Sequence, residues 1–152
     1  MTSPIERFVE VGPRLATAAQ PRPSDLAWLR AQGFEAVVNV STPTARNFVH
    51  EEPRLVMDAG MAYVHAPVDC SRLEPAHYEV LRGVLDAWRG RKVLVHCAGN
   101  VKSSALVLLY RHLALGEPLA PMVDALRAQG WHEPKWFDYF ARMTATPVDR
   151  AA

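Results

Sequence analysis

The residues best suited to chemistry lie in segment 93–105, around Cys97. An apolar run rich in valine ends at His96 and Cys97, and a loop of small residues then leads to Lys102 and a second apolar run. This pattern predicts a buried strand, a tight loop and a helix, in that order. Loops of this kind bind anions through backbone N–H groups and the positive end of the helix. We expect the anion to lie against five residues: Ala98, Gly99, Asn100, Val101 and Lys102.

Cys97 is the candidate nucleophile of this loop. The positive end of a helix and a nearby cation stabilise the thiolate form of a cysteine, and the thiolate is the reactive form. An isolated cysteine is more often a small buried hydrophobic residue. Here the preceding His96, the small loop residues and the following Lys102 favour the functional interpretation. Cys70 lacks such surroundings.

The elements that must position this loop alternate along the chain. Runs of apolar and β-branched residues predict four strands, at 14–18, 36–40, 62–66 and 92–95. Helical spacing and breaker residues predict helices from a capping Ser24 to Gly33, at 75–88, 102–112 and 121–129, and a short one after Pro134. The alternation indicates an α/β fold with a mostly parallel sheet of four or five strands, flanked by helices. Ligands of such sheets lie beyond the carboxyl ends of the strands, where the Cys97 loop falls.

Length and composition limit the classes of function. The chain of 152 residues is 49% hydrophobic, and we expect one domain over residues 1–152, with a loose segment after Pro147. A net charge of +1 argues against a nucleic-acid partner. The sequence contains neither a membrane-length apolar run nor a targeting segment, so we expect a cytoplasmic protein without a membrane partner. No histidine pair has metal-ligand spacing, so we expect no metal and no other cofactor, and nothing indicates the oligomeric state.

The order of these residues resembles that of a known family. A His–Cys pair at a strand end, a short loop, a cation and a serine opening a helix resemble the cysteine-based protein tyrosine and dual-specificity phosphatases, particularly a small bacterial branch with a shortened loop. Segments 14–21, 63–69 and 131–136 are similar to that branch as well. The resemblance covers most of the chain and implies a fold of the dual-specificity phosphatase type.

The resemblance implies a role for each residue of the loop. Cys97 would attack the phosphorus of a phosphomonoester, such as phosphotyrosine or a small aryl phosphate, to give a phosphocysteine. Loop N–H groups and Lys102 would stabilise the phosphoryl oxygens. Ser103 or Ser104 would help the sulfur leave, and His96 would order the loop. The partner is then a phosphorylated substrate or another oxyanion.

The loop also departs from the family pattern. Four residues separate Cys97 from Lys102, where the family has five residues before an arginine. Lysine keeps the charge but loses the planar fork that binds two phosphate oxygens, so we expect reduced activity. Two alternatives stay open: a pseudo-phosphatase that binds an oxyanion without turnover, and a rhodanese-like sulfurtransferase, whose six-residue loop has the length of residues 97–102.

Two neighbouring residues in the first half of the chain complete the predicted site. Asp69 follows the predicted strand 62–66, and the resemblance implies that it is the general acid that protonates the leaving group. Its alternative role is that of a turn residue or a helix cap. Cys70 comes next, and we expect either a reversible disulfide with Cys97 or a residue that only fills space.

Overall fold

The computed structural model describes residues 2–128, 130–131 and 133–145. Its elements, in chain order, are β1 (Val9–Gly12), β2 (Leu15–Ala18), α1 (Leu26–Ala31), β3 (Ala36–Asn39), α2 (Glu52–Asp58), β4 (Ala62–His65), α3 (Pro75–Ala87), β5 (Val93–His96), α4 (Val101–Leu113), α5 (Leu119–Ala128) and α6 (Pro134–Thr144). Within the described residues, no helix has both the length and the apolar character that a bilayer crossing requires. The segment after Pro147 and the predicted helix end at Gln129 fall outside this description.

The five strands form one sheet in the spatial order β1-β2-β5-β3-β4. Strand β5 pairs in parallel with β2 and β3, and β4 pairs in parallel with β3, whereas β1 is antiparallel to β2. His96 at the end of β5 lies in register with Ala18 and Asn39, the last residues of its two neighbours. The carboxyl ends of three strands therefore meet around the start of the Cys97 loop. This architecture confirms the predicted fold class.

Side chains alternate between the two faces of the sheet, as the pleat of a strand requires. Val37 and Leu94 belong to a core with Leu29 of α1 and residues of the N-terminal segment. Val38 and Val95 belong to the larger core on the other face, which helices α3 to α6 cover. Strand β5 is therefore buried on both faces, and its position is fixed by packing from both sides.

Three details of the sequence prediction were wrong. Ser24 does not cap α1: it lies in a 3-10 turn, Pro23–Asp25, where Asp25 accepts a 2.8 Å hydrogen bond from the Arg22 N–H. Helix α2 was not predicted because its sequence, EPRLVMD, has a proline and charged residues at its start, which mark a loop in the sequence. The first turn of a helix nevertheless accommodates a proline, because its N–H would have no partner within the helix. Strand β1 was missed because it is short and lies at the partly exposed edge of the sheet.

Candidate active site

The Cys97 loop, residues 97–100, joins the end of β5 to the start of α4. Asn100 turns the chain into the helix with a left-handed φ of 65°, a conformation that asparagine tolerates better than most residues. Its side-chain amide donates hydrogen bonds to the Arg7 carbonyl at 2.7 Å and to the Thr17 hydroxyl at 3.2 Å. Asn100 thus fixes the loop to both β2 and the N-terminal segment.

The carbonyl groups of the loop are bonded to donors outside it. The Ala98 carbonyl accepts a 3.0 Å hydrogen bond from the Asn47 side chain, and the Gly99 carbonyl accepts a 3.1 Å hydrogen bond from the Arg7 guanidinium. In a trans peptide the N–H of the next residue points opposite to the C=O. The N–H group of Gly99 therefore points away from the Asn47 donor, as an anion-binding loop requires.

The Cys97 side chain is only 3% exposed, and its sulfur lies 3.3 Å from the Ser103 hydroxyl. Ser103 donates its single proton to the Asn100 side-chain oxygen at 2.6 Å, and Ser104 donates to the same oxygen at 3.1 Å. The Ser103 hydroxyl also lies 3.4 Å from the Ala18 carbonyl. The sulfur of Cys97 therefore has a hydroxyl neighbour that Asn100 and β2 hold in place.

A buried ion pair lies beneath the loop. The Nε2 atom of His96 is 3.0 Å from the Glu52 carboxylate, and its Nδ1 atom is 3.2 Å from the Cys97 carbonyl. Each ring nitrogen of His96 therefore faces a hydrogen-bond acceptor, and Glu52 is the side-chain partner of this histidine. The carboxylate also accepts hydrogen bonds from Gln20 at 2.6 Å and Asn39 at 3.1 Å. The backbone of the nucleophile thus rests on a fully bonded buried pair.

Glu52 is ionised although it is only 2% exposed. Burial raises the pKa of its carboxyl group, but the hydrogen bond and charge of His96, with hydrogen bonds from Tyr63 and Gln20, hold that pKa below its ordinary value. Burial and the Glu52 charge raise the pKa of Tyr63, which therefore stays neutral. Sequence reasoning missed Glu52 because it lies in the unpredicted helix α2, 44 positions before His96.

A cavity of about 260 Å³ opens above the loop and is lined by Cys97 and by Lys102. The Lys102 ammonium donates a hydrogen bond to the Val68 carbonyl rather than standing free in the cavity. Two charged residues that the sequence analysis did not select, Glu133 and Lys135, also line the cavity. They stand where α6 begins, so a second cation and a carboxylate reach the site from the C-terminal part of the chain.

Cys70 and Asp69, although adjacent, are placed differently. Cys70 lines the same cavity as Cys97, and burial raises the pKa of its thiol while the charges of Lys102 and Lys135 oppose that rise. Asp69 is not among the described residues that line the cavity. Its carboxylate accepts hydrogen bonds from the Ser71 hydroxyl at 2.7 Å and N–H at 2.9 Å, which hold the pKa of Asp69 below its ordinary value. Asp69 is a charged turn residue in this conformation, and its acid role stays a prediction.

This sheet, with a cysteine loop between its central strand and a buried helix, defines the class of protein tyrosine and dual-specificity phosphatase-like folds. Residues 7–115 match the family described as beta-lactamase hydrolase-like protein, phosphatase-like domain. The chain therefore belongs to that family, which confirms the predicted resemblance. No curated protein sequence matches the chain significantly. Glu133 and Lys135, at the start of α6, lie beyond the matched residues.

Solved structures share the fold over nearly the whole chain. A candidate phosphatase (DUF442) from Shewanella putrefaciens CN-32 is 26% identical, with a TM-score of 0.84 over 95% of this chain and 93% of that one. P. aeruginosa TpbA is 19% identical, with a TM-score of 0.72 over 91% and 89%. A TpbA variant in complex with pTyr, its cysteine replaced by serine, is 20% identical, with a TM-score of 0.64 over 95% and 83%.

Proposed function

We propose that this protein hydrolyses phosphomonoesters, such as phosphotyrosine or small aryl phosphates, through a phosphocysteine at Cys97. The observation that carries the proposal is the buried Cys97 sulfur, 3.3 Å from the Ser103 hydroxyl, at the start of an anion-type loop that opens into a cavity. Membership of a phosphatase-like family supports the reaction class. The pTyr complex of TpbA supports the substrate class by analogy.

The reaction would proceed in two displacements. The Cys97 thiolate attacks phosphorus, and the bond from phosphorus to the substrate oxygen breaks, which leaves a phosphocysteine and a phenol or alcohol. Water then attacks the same phosphorus, and phosphate and the thiolate are released. The N–H group of Gly99 and others of the loop would hold the phosphoryl oxygens in both steps. The Ser103 hydroxyl would donate to the departing sulfur and so stabilise the thiolate.

Lys102 sets the expected rate of this reaction. An ammonium offers one compact charge, whereas the guanidinium usual in this family binds two oxygens in parallel. Lys102 must also release the Val68 carbonyl before it can turn toward a bound phosphoryl group. We therefore expect slow turnover, and in the limit of no turnover the protein is the oxyanion-binding pseudo-phosphatase of the alternative hypothesis.

The proton for the leaving oxygen would come from one of two carboxyl groups. Asp69 occupies the position that the resemblance predicts, but it must leave its turn with Ser71 to reach the cavity. Glu133 already lines the cavity beside Lys135. Aryl phosphates with good leaving groups need this proton least, so they are the substrates on which activity should be detected first.

Sulfur transfer is the second candidate function, and one observation favours it. Lys102 is bonded to a carbonyl and Asp69 to Ser71, so the two groups on which a phosphatase depends are both engaged elsewhere. Attack of the Cys97 thiolate on thiosulfate gives a cysteine persulfide and releases sulfite, which needs no proton donor. The reaction requires only the nucleophile and an anion-binding loop.

The test compares three activities on the same purified protein. We would measure phosphate release from p-nitrophenyl phosphate and phosphotyrosine, sulfur transfer from thiosulfate to cyanide, and vanadate binding. The proposal expects phosphate release that Cys97→Ser abolishes and that the control Cys70→Ser retains, with a phosphocysteine trapped by acid quench. Absence of phosphate release by the wild type would overturn the proposal. Sulfur transfer that depends on Cys97 would then assign the protein as a sulfurtransferase, and vanadate binding alone would assign it as a pseudo-phosphatase.

A further inference from the structure

A second and larger cavity, of about 480 Å³, lies at the opposite end of the sheet from the Cys97 loop. Leu15 and Val93 line it, and these are the first residues of the paired strands β2 and β5. Because β5 runs from Val93 to His96 at about 3.3 Å per residue, roughly 10 Å of strand separates this cavity from the start of the loop. The cavity is therefore distinct from the candidate active site.

The interior of this cavity is mainly apolar. The buried Leu85 and the half-buried Trp88 stand on one side, and Leu115, which is 45% exposed, stands at the edge. Leu115 is one of three large hydrophobic residues that the described surface exposes. A volume of this size is typical of small-molecule sites, which are apolar with a few polar groups that orient the ligand. An apolar body of a small ligand therefore fits the interior.

Four arginines surround this interior, and two of them have partners. Arg111 forms two 2.9 Å hydrogen bonds with the carboxylate of Glu117. Arg89 bonds to Asp86 at 2.9 Å and to the Tyr110 hydroxyl at 3.2 Å. These pairs neutralise part of the positive charge and hold one wall of the cavity in place.

The other two arginines, Arg14 and Arg91, line the same cavity without such partners. In the described part of the chain, neither has a carboxylate within ion-pair distance. They come from positions 77 residues apart, just before β2 and just before β5. The pairing of these strands brings two unneutralised cations to one end of an apolar cavity.

We propose that this cavity binds an amphipathic carboxylate, a small molecule with an apolar body and one anionic head. The body would lie against Leu85 and Trp88, and the head would receive hydrogen bonds from Arg14 and Arg91, whose planar guanidinium groups match a carboxylate. A monoanion suits an apolar cavity better than a phosphate dianion, because a dianion loses more hydration free energy on entering it. This inference does not depend on the proposed phosphatase reaction.

The test measures binding of dodecanoate to the full-length protein by calorimetry, with dodecanol as the uncharged analogue. We expect saturable one-to-one binding that is at least about tenfold weaker for dodecanol and for the double variant Arg14→Gln, Arg91→Gln, since the loss of even one charge-assisted hydrogen bond costs about that factor. The matched control is Arg54→Gln, which removes an exposed arginine from α2. It should leave the affinity unchanged. Circular dichroism establishes that each variant is folded.

A second measurement needs no variant. Chemical-shift changes of the wild-type protein on addition of dodecanoate should centre on the Trp88 indole and spare the Cys97 loop. Equal affinity for dodecanol and dodecanoate, shifts centred on the loop, or undiminished binding by the double variant would each overturn the proposal. Tighter binding of a peptide with a leucine C-terminus than of dodecanoate would do so too, because it would assign the cavity to a protein partner.

Discussion

The buried pair of Glu52 and His96 allows a stability prediction with a magnitude. The Glu52 carboxylate accepts hydrogen bonds from His96, Gln20 and Asn39. Glu52→Gln keeps the shape of the side chain but replaces one accepting oxygen with an N–H₂ group, which then faces donors. Removing one member of such a buried pair costs about 3–5 kcal/mol. For a protein of this size such a loss lowers the melting temperature by about 10 °C.

The neighbouring glutamate provides the matched control. Glu51 forms an exposed ion pair with Arg54 at 2.7 Å, and its side chain is 70% exposed, so Glu51→Gln should change stability by less than about 1 kcal/mol. Urea unfolding followed by tryptophan fluorescence compares the two variants with the wild type. A Glu52→Gln protein within about 0.5 kcal/mol of the wild type would refute the ion-pair assignment, since surface substitutions without such a role fall in that range.

The same variant predicts a pH dependence with a definite sign. The folded protein holds the pKa of Glu52 below the ordinary value of 4.5, so the stabilising contribution of Glu52 is fully present above that value. It is lost as the pH falls through the lower, folded-state pKa. The difference in unfolding free energy between the wild type and Glu52→Gln should therefore shrink as the pH falls below about 4.5. A difference that grows on acidification would show that Glu52 is protonated in the folded protein.

Three further predictions concern the site itself. Lys102→Arg should raise turnover of an aryl phosphate about tenfold, because a guanidinium binds two phosphoryl oxygens; an unchanged rate with intact vanadate binding would exclude residue 102 as the cation of the transition state. Loss of the proton donor should slow the hydrolysis of phosphate esters with poor leaving groups far more than that of esters with good ones. Rates of Asp69→Asn and Glu133→Gln on both kinds of ester identify which residue is the donor, and equal losses on both would exclude that residue. After mild peroxide treatment, mass spectrometry should find a reducible disulfide-linked peptide that joins Cys70 to Cys97. In Cys70→Ser, Cys97 should over-oxidise instead. A sulfonic acid at Cys97 of the wild type, without the linked peptide, would refute the redox pair.

The sequence was sufficient to predict the sheet and the loop, because their pattern is local. Strand β5 is a run of buried valine and leucine, and helix α4 is apolar for most of its length, so each element is evident within a short window. The alternation of strands and helices then leaves few topologies for a parallel sheet. The parallel arrangement and the place of the Cys97 loop at its carboxyl edge followed from these rules.

The supports of the loop could not be predicted, because they come from distant segments. Arg7 bonds to Gly99 across 92 positions, and Glu52 bonds to His96 across 44. Neither residue has a local pattern that marks it: Arg7 lies in an irregular N-terminal segment, and Glu52 begins a short charged helix. Lys135 reaches the cavity because α6 packs against α4. Such partners become visible only when the tertiary contacts are known.

The central position of β5 has a consequence for the order in which the protein assembles. Residues 93–96 are the last of the described strands in chain order, yet they alone connect the pair β1-β2 to the pair β3-β4. Until they emerge, the nascent chain holds two separate strand pairs whose inner edges, on β2 and β3, expose unpaired backbone groups that favour aggregation. No shorter nascent chain contains the site, because Thr17, Glu52 and Cys97 come from parts of the chain that only this strand unites. The sheet is therefore joined before the site is complete, because Lys102, Glu133 and Lys135 follow β5 in the chain.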